Sequence, residues 1–259
     1  MKIVSCGITD IGQKRQRNED SYLLNDELKL YVVADGMGGH VGGEFASRIA
    51  VKTVEDIIKG DDRKFSGVEE NTYLDSEPPK ATDDSKQERL RDAITRAGCM
   101  IAQKAQEEPE LRGMGTTTTV AYFDEGKAYF AHVGDSRAYC IRNKKISQIT
   151  EDHSLVHEQL KSGLITEEEA KNHQLKNIIT RSVGVQEEVE TDTIVWKVQK
   201  NDIYLLCSDG LSNMLSNKEM QDIVSSTDTE TASRALVDLA NERGGDDNIS
   251  VILIRIDEL

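Results

Sequence analysis

The segment Ala128-Tyr129-Phe130-Ala131-His132-Val133-Gly134-Asp135-Ser136-Arg137-Ala138-Tyr139-Cys140-Ile141 sets two short apolar runs on either side of Gly134-Asp135. Two turn-forming residues between apolar runs are a hairpin signal, so 128–133 and 136–141 are predicted to be antiparallel neighbours. The same pattern continues in both directions. Alternating or continuous apolar runs bounded by turn residues predict strands at 3–8, 20–24, 30–34, 116–123, 127–133, 136–142, 191–198, 203–208 and 248–256. In 249–256 both alternation sets are apolar, as expected of a strand packed between two layers.

Between the strands lie segments of helical period. Over 43–59, Ala46, Ala50, Val54 and Ile58, with Phe45, Ile49 and Ile57 beside them, form one apolar stripe. Over 86–107, Leu90, Ala93, Ile94, Ala97 and Ile101 repeat the spacing, and 217–225 and 230–242 read as two further helices. Strands, two helices, more strands, more helices and a last strand do not alternate regularly, which predicts an α+β fold of antiparallel sheets covered by helices. The stretch 60–85 is rich in Asp and Glu, carries Pro78-Pro79, and reads as an acidic loop. The polar stretch 151–174, with His153, His157 and His173, reads as a short helix pair interrupting the strands.

The chain has 259 residues, 37% hydrophobic and 31% charged, which suits one globular domain over 1–259. No apolar stretch is long enough to span a bilayer, and the N-terminus reaches Asp10 without the apolar run of a secretory signal. A cytoplasmic protein is expected. Its four cysteines, Cys6, Cys99, Cys140 and Cys207, lie far apart inside apolar segments and read as buried, reduced thiols. A net charge of −15 argues against nucleic-acid binding, which needs clustered Lys and Arg. It also means that a site for phosphate groups on this chain needs bound cations.

Five carboxylate-bearing turns lie at the ends of predicted strands: Asn18-Glu19-Asp20, Ala34-Asp35-Gly36, Gly134-Asp135-Ser136, Ser208-Asp209-Gly210 and Asp246-Asp247-Asn248. One Asp beside Gly is ordinarily a turn former, but five at the lips of buried strands suggest a shared site. Carboxylate oxygens with few His or Cys neighbours select hard cations such as Mg²⁺ or Mn²⁺. Two such ions can activate a water and clamp a phosphoryl oxygen, which resolves the conflict between the charge and a phosphate substrate.

Arg15-Gln16-Arg17-Asn18-Glu19-Asp20, Val33-Ala34-Asp35-Gly36-Met37-Gly38-Gly39-His40, Gly113-Met114-Gly115-Thr116-Thr117, Val133-Gly134-Asp135-Ser136-Arg137, Asn177-Ile178-Ile179-Thr180-Arg181, Leu206-Cys207-Ser208-Asp209-Gly210-Leu211 and Gly245-Asp246-Asp247-Asn248-Ile249-Ser250 follow one another in the order of a known motif set. Together they resemble the protein phosphatase 2C family in its bacterial single-domain form. The resemblance implies a four-layer α/β/β/α sandwich, two antiparallel sheets flanked by helices, with metals in a cleft at one end. It implies that Asp20, Asp35, Asp209 and Asp247 hold a pair of Mg²⁺ or Mn²⁺ ions, with the Gly36 carbonyl as a further ligand and Glu19 acting through water. Asp135 with Asp209 resembles the holder of a third ion, and Arg15 resembles the arginine that grips substrate phosphate. The stretch 151–181 corresponds to the family's flap, so its histidines are expected at the surface.

The function so implied is metal-dependent hydrolysis of phosphoserine and phosphothreonine in proteins by a metal-bridged hydroxide, without a phosphoenzyme intermediate. The resemblance implies that the substrates include a bacterial-type Ser/Thr kinase, and the chain is expected to be monomeric. Where animal members of the family place a histidine after Asp-Gly, this chain has Met37, which leaves His40 or metal-bound water as the general acid. The rival reading is an inactive phosphoprotein-binding module, marked by loss of Asp20, Asp35, Asp209 or Asp247; all four are present. Cysteine-dependent phosphatase chemistry needs Cys-x5-Arg, but Gly12, Ala105, Ile146 and Asn213 stand at the arginine position.

Overall fold

In the computed structural model, which describes residues 1–38, 41–60, 82–171, 173–186 and 189–259, the two runs flanking Gly134-Asp135 lie in different sheets. The first sheet has the order β1 (Lys2–Asp10), β12 (Ile249–Glu258), β11 (Ile203–Cys207), β8 (Arg137–Arg142), β9 (Lys145–Gln148). The second has the order β10 (Asp192–Lys197), β7 (Lys127–Val133), β6 (Thr118–Asp124), β3 (Leu30–Ala34), β2 (Ser21–Asn25). Neighbours in both sheets are antiparallel, and a short pair, β4 (Gly36–Met37) with β5 (Gly115–Thr116), stands apart.

The hairpin reading is therefore corrected. β7 pairs with β6 and β10, whereas β8 pairs with β11 and β9. The polar groups that a hairpin would close on itself are bonded elsewhere: Gly134 donates its N–H to His153 Nδ1 (3.1 Å) and accepts at its carbonyl from the His153 N–H (2.7 Å). With those bonds made to a distant segment, the link is free to cross from one sheet to the other.

Three apolar layers hold the sheets and helices together. Tyr31, Val33, Phe123, Phe130, Tyr204, Leu206, Ile252 and Ile254 fill the space between the sheets. Leu30, Val32 and Ala34, on the opposite face of β3, pack against α1 (Gly42–Lys59) and α2 (Asp83–Glu107). The short helices α3 (Leu155–Lys161) and α4 (Glu167–Lys171) form the pair expected within 151–174, and Ile249, Val251 and Leu253 pack with α5 (Asp209–Ser212), α6 (Asn217–Ser226) and α7 (Thr229–Glu242) on the far side. Alternate residues of β3 and β12 thus serve two cores, the four-layer α/β/β/α arrangement expected of strands apolar on both faces.

Local chemistry fixes the helix ends. Ser216 and Glu219 form a reciprocal capping box on α6. The Thr82 hydroxyl accepts from the Ser85 N–H and starts α2 at Asp83. The acidic loop therefore stops short of its predicted end at 85, and 61–81 lie outside the described residues. Along α1 the buried line runs through Ala46, Ala50, Val54 and Ile57, while Phe45, placed in the stripe by its spacing, is 43% exposed. Among the cysteines, Cys140 and Cys207 are buried as expected, but Cys6 is half-buried and Cys99 exposed; all four are free thiols. Among the described residues no helix is long and apolar enough to cross a membrane.

Candidate active site

The carboxylate turns converge where strands of both sheets end. Asp20 immediately precedes β2, Asp35 follows β3, Asp135 lies in the crossing between β7 and β8, Asp209 opens α5 after β11, and Asp247 stands two residues before β12. A cleft of about 400 Å³ is lined by Arg15, Glu19, Asp35, Gly36, Met37, Asp135, Asp209 and Asp247, with Asn177 and Ile179 on the side of the 151–181 stretch. Asp20 is only 7% exposed and does not line the cleft; it is buried within reach of the charges of Asp35, Asp209 and Asp247. All eight residues singled out from the sequence are thus brought to one place. His40 lies outside the described residues.

Hydrogen bonds set each carboxylate. The Asp35 N–H donates to Thr117 Oγ1 (2.9 Å) and the Asp35 carbonyl accepts from the Thr117 N–H (2.8 Å). Ser208 Oγ donates to Asp20 Oδ2 (2.8 Å), and Asn213 Nδ2 donates to Asp209 Oδ2 (3.0 Å). Arg15 Nη2 reaches Asp247 Oδ2 at 2.6 Å. Gly36 sits so close to the start of α1 that a Cβ there would overlap the Gly43 carbonyl oxygen.

The charges are crowded. Burial first, and then neighbouring aspartates, push Asp20 up to about 7 and Asp135 up to about 8. The same causes raise Asp35 well above the usual carboxylate range and raise Asp209. Asp20 Oδ1 and Asp209 Oδ1 are buried without a hydrogen-bond partner among the described residues. Unpaired buried carboxylate oxygens beside other carboxylates are costly unless a cation satisfies them. The donor set fits hard divalent cations. Among the described residues no three His, Cys, Asp or Glu side chains are gathered about one point. The carboxylates nevertheless act on one another, Asp35 bearing the charges of Asp20, Asp209, Asp135 and Asp247, and hard divalent ions are commonly held by one or two carboxylates and completed by water.

Several organising residues carry no signal in the sequence beyond their place in a turn. Asn248 joins the loop before β2 to the loop before β12. It accepts from the Glu19 N–H at Oδ1 (2.8 Å) and donates from Nδ2 to the carbonyls of Ile11 and Arg17 (2.9 Å each). Thr117 and Ser208 steady Asp35 and Asp20 as described. His153, expected at the surface, is 6% exposed: besides its two bonds to Gly134, its Nε2 lies 3.4 Å from Asp192 Oδ2. Next to it Asp152 binds Arg137 through two guanidinium nitrogens (2.9 and 2.6 Å).

Comparison with known proteins agrees with this geometry. A family model described as protein phosphatase 2C matches residues 11–243. The serine/threonine phosphatase stp of Listeria monocytogenes is 40% identical over 253 residues, spanning 96% of this chain and 94% of its own length. The Mycobacterium tuberculosis serine/threonine phosphatase PstP/Ppp superposes with a TM-score of 0.86 at 30% identity, over 99% of each chain. The catalytic domain of PstP in complex with 2 manganese ions superposes with a TM-score of 0.80 at 30% identity, over 98% of this chain and 99% of that one.

Proposed function

Because this chain belongs to the protein phosphatase 2C family and is a serine/threonine protein phosphatase, we propose that its carboxylate cleft hydrolyses protein phosphoserine and phosphothreonine directly, without a phosphoenzyme intermediate. The observation that carries this reading is the meeting of Arg15 with Asp20, Asp35, Asp209 and Asp247 at one end of the sandwich, with Asp20 Oδ1 and Asp209 Oδ1 unpaired among the described residues. On this reading Asp20, Asp35, Asp209 and Asp247 hold two Mg²⁺ or Mn²⁺ ions, and the Gly36 carbonyl adds a neutral ligand. Glu19 acts through water, and Asp135 with Asp209 holds a third ion. When bound, such ions would lower the pKa of a water so that it can give up a proton near neutral pH and become the nucleophile, and would offset the charge of the phosphoryl oxygens.

The chain's own groups do the rest. Arg15 gives one donor to Asp247 and has others left over, so its planar fork can hold a phosphoryl oxygen while remaining tied to the acid cluster. That grip positions the phosphorus over the cleft and stabilises charge as the bond to the leaving oxygen breaks. Met37 lines the cleft and has no proton to give, so the leaving alkoxide is protonated by another donor. The sandwich supplies rigidity, since each aspartate is held at the end of a strand whose side chains are packed on both faces.

Asp209→Asn tests the assignment. Removing a carboxylate at the cleft leaves the three cores untouched, so the variant keeps its circular dichroism spectrum while Mn²⁺-supported hydrolysis of p-nitrophenyl phosphate falls by 10²-fold or more, on the order of one lost electrostatic partner in a buried site. Full activity in this variant, or in native protein with excess EDTA, overturns the proposal.

A further inference from the structure

A second cavity, of about 520 Å³, opens beside the cleft and is lined by Arg15, Gln16, Arg17, Glu19, Val41, Glu110 and Asn248. Arg15, Glu19 and Asn248 line both spaces, so the second cavity adjoins the cleft at Arg15. Its volume falls within the range of small-ligand sites, about 300–1,000 Å³, enough for the residues next to a bound phosphoresidue.

The cations of this cavity are not equivalent. Arg15 is committed to Asp247. In a chain with 47 acidic residues and a net charge of −15, Arg17 is exposed and its guanidinium makes no hydrogen bond or ion pair among the described residues, although its charge acts on Glu19, which lines the same cavity. Its backbone is nevertheless pinned, because its carbonyl accepts from Asn248 Nδ2 at 2.9 Å and Asn248 Oδ1 holds the Glu19 N–H. The arrangement is an exposed guanidinium with all its donors available, on a fixed stem two residues from the one that faces the phosphate. Glu110, on the 3-10 turn Pro109–Leu111, and Glu19 are the negative groups of the lining, so an anion is favoured only at the Arg17 guanidinium and is repelled elsewhere in the cavity.

We propose that this cavity is a subsite for an anionic side chain flanking the target residue, so that the enzyme prefers phosphopeptides carrying Asp, Glu or a second phosphate close to the phosphoserine or phosphothreonine. The inference rests on the phosphatase reading of the cleft and adds Arg17 as a specificity-determining residue. The surrounding field of the acidic protein opposes such a peptide, so the preference is local and weakens as salt screens the guanidinium.

The test compares kcat/KM for phosphothreonine peptides that differ only in one flanking residue, Asp, phosphoserine, Ala or Lys, placed in turn on each side, using Mn²⁺-loaded enzyme. On one side the native protein cleaves the Asp peptide about 5-fold faster than the Lys peptide, the scale of one exposed ion pair. The phosphoserine arm shows whether the doubly charged group is taken in preference to the carboxylate. Arg17→Ala brings the Asp-to-Lys ratio close to one, and Arg17→Glu inverts it; each ratio is internal to one variant, so loss of total activity does not affect it. Native protein that hydrolyses p-nitrophenyl phosphate but shows no flanking preference, or an Arg17→Glu variant with the native ratio, overturns the subsite alone. Native protein that cleaves neither the aryl phosphate nor any peptide overturns the catalytic reading with it.

Discussion

His132 shows how one residue between the sheets and the 151–181 stretch ties stability to pH. It is fully buried, with Nδ1 2.9 Å from Thr119 Oγ1 and Nε2 3.1 Å from the Glu151 carbonyl, its ring 4.9 Å from that of His153. Burial first, then the charge of His153, lowers it from 6.5 to about 4, against an upward pull from Asp152 and Asp192. A folded-state value below the unfolded one means that, between these limits, the unfolded chain binds a proton that the folded chain refuses. Stability is therefore fully present above pH 6.5 and lost as pH falls toward 4. At about 1.4 kcal/mol per pH unit, the loss across that window is on the order of 3 kcal/mol. His132→Gln removes the titration, so the native advantage over the variant in denaturant unfolding shrinks from pH 7 to pH 4; parallel curves for the two proteins contradict the assignment.

At the scale of elements, the crossing at Gly134 joins the two sheets to the site. Gly134 has φ +108°, and a Cβ there would lie 2.6 Å from Cβ and Cγ2 of Thr117, the residue that holds Asp35. Gly134→Ala combines backbone strain of about 1–3 kcal/mol with displacement of Thr117, so activity falls further than the unfolding free energy alone accounts for. Activity and stability falling only in proportion would show that the crossing does not position Asp35. The same crossing marks where the sequence was legible and where it was not. Helix α1 was readable to within one residue because an amphipathic stripe is a local signal, and the double-sided burial of β12 was readable because both of its alternation sets are apolar. The sheet to which β7 and β8 each belong depends on partners far away in the chain, and alternation reports only that a face is buried. β9 was missed because its residues are largely exposed and polar, leaving no apolar period to detect. The aspartates stood out because each ends an apolar strand beside a turn. Asn248, Thr117 and Ser208 did not, because their bonds reach residues 229, 82 and 188 positions away.

For the whole molecule, the net charge of −15 and the buried aspartates set a single condition, since a fold that gathers like charges at one end is incomplete until cations neutralise them. A ligand that binds only the folded state stabilises it by about 2.7 kcal/mol at a concentration a hundred times its Kd. For a chain of this size, each kcal/mol moves the melting temperature by about 2–4 °C, so Mn²⁺ at that excess raises it by about 5–10 °C. The carboxylate that bears the charges of Asp20, Asp209, Asp135 and Asp247 together is Asp35. Replacing it by the near-isosteric amide removes one of the repelling charges and one ligand at the same time. Metal-free Asp35→Asn should therefore melt at or above metal-free native protein, while gaining less than half of the native rise when Mn²⁺ is added. An order preserved between the two proteins with and without Mn²⁺ would mean that the cluster is stabilised by its own hydrogen bonds and that cations are not what the fold is built to receive. The opposite, a crossing of the two melting curves, ties the acidity of the chain, the strained carboxylates and the hydrolytic site to one physical cause.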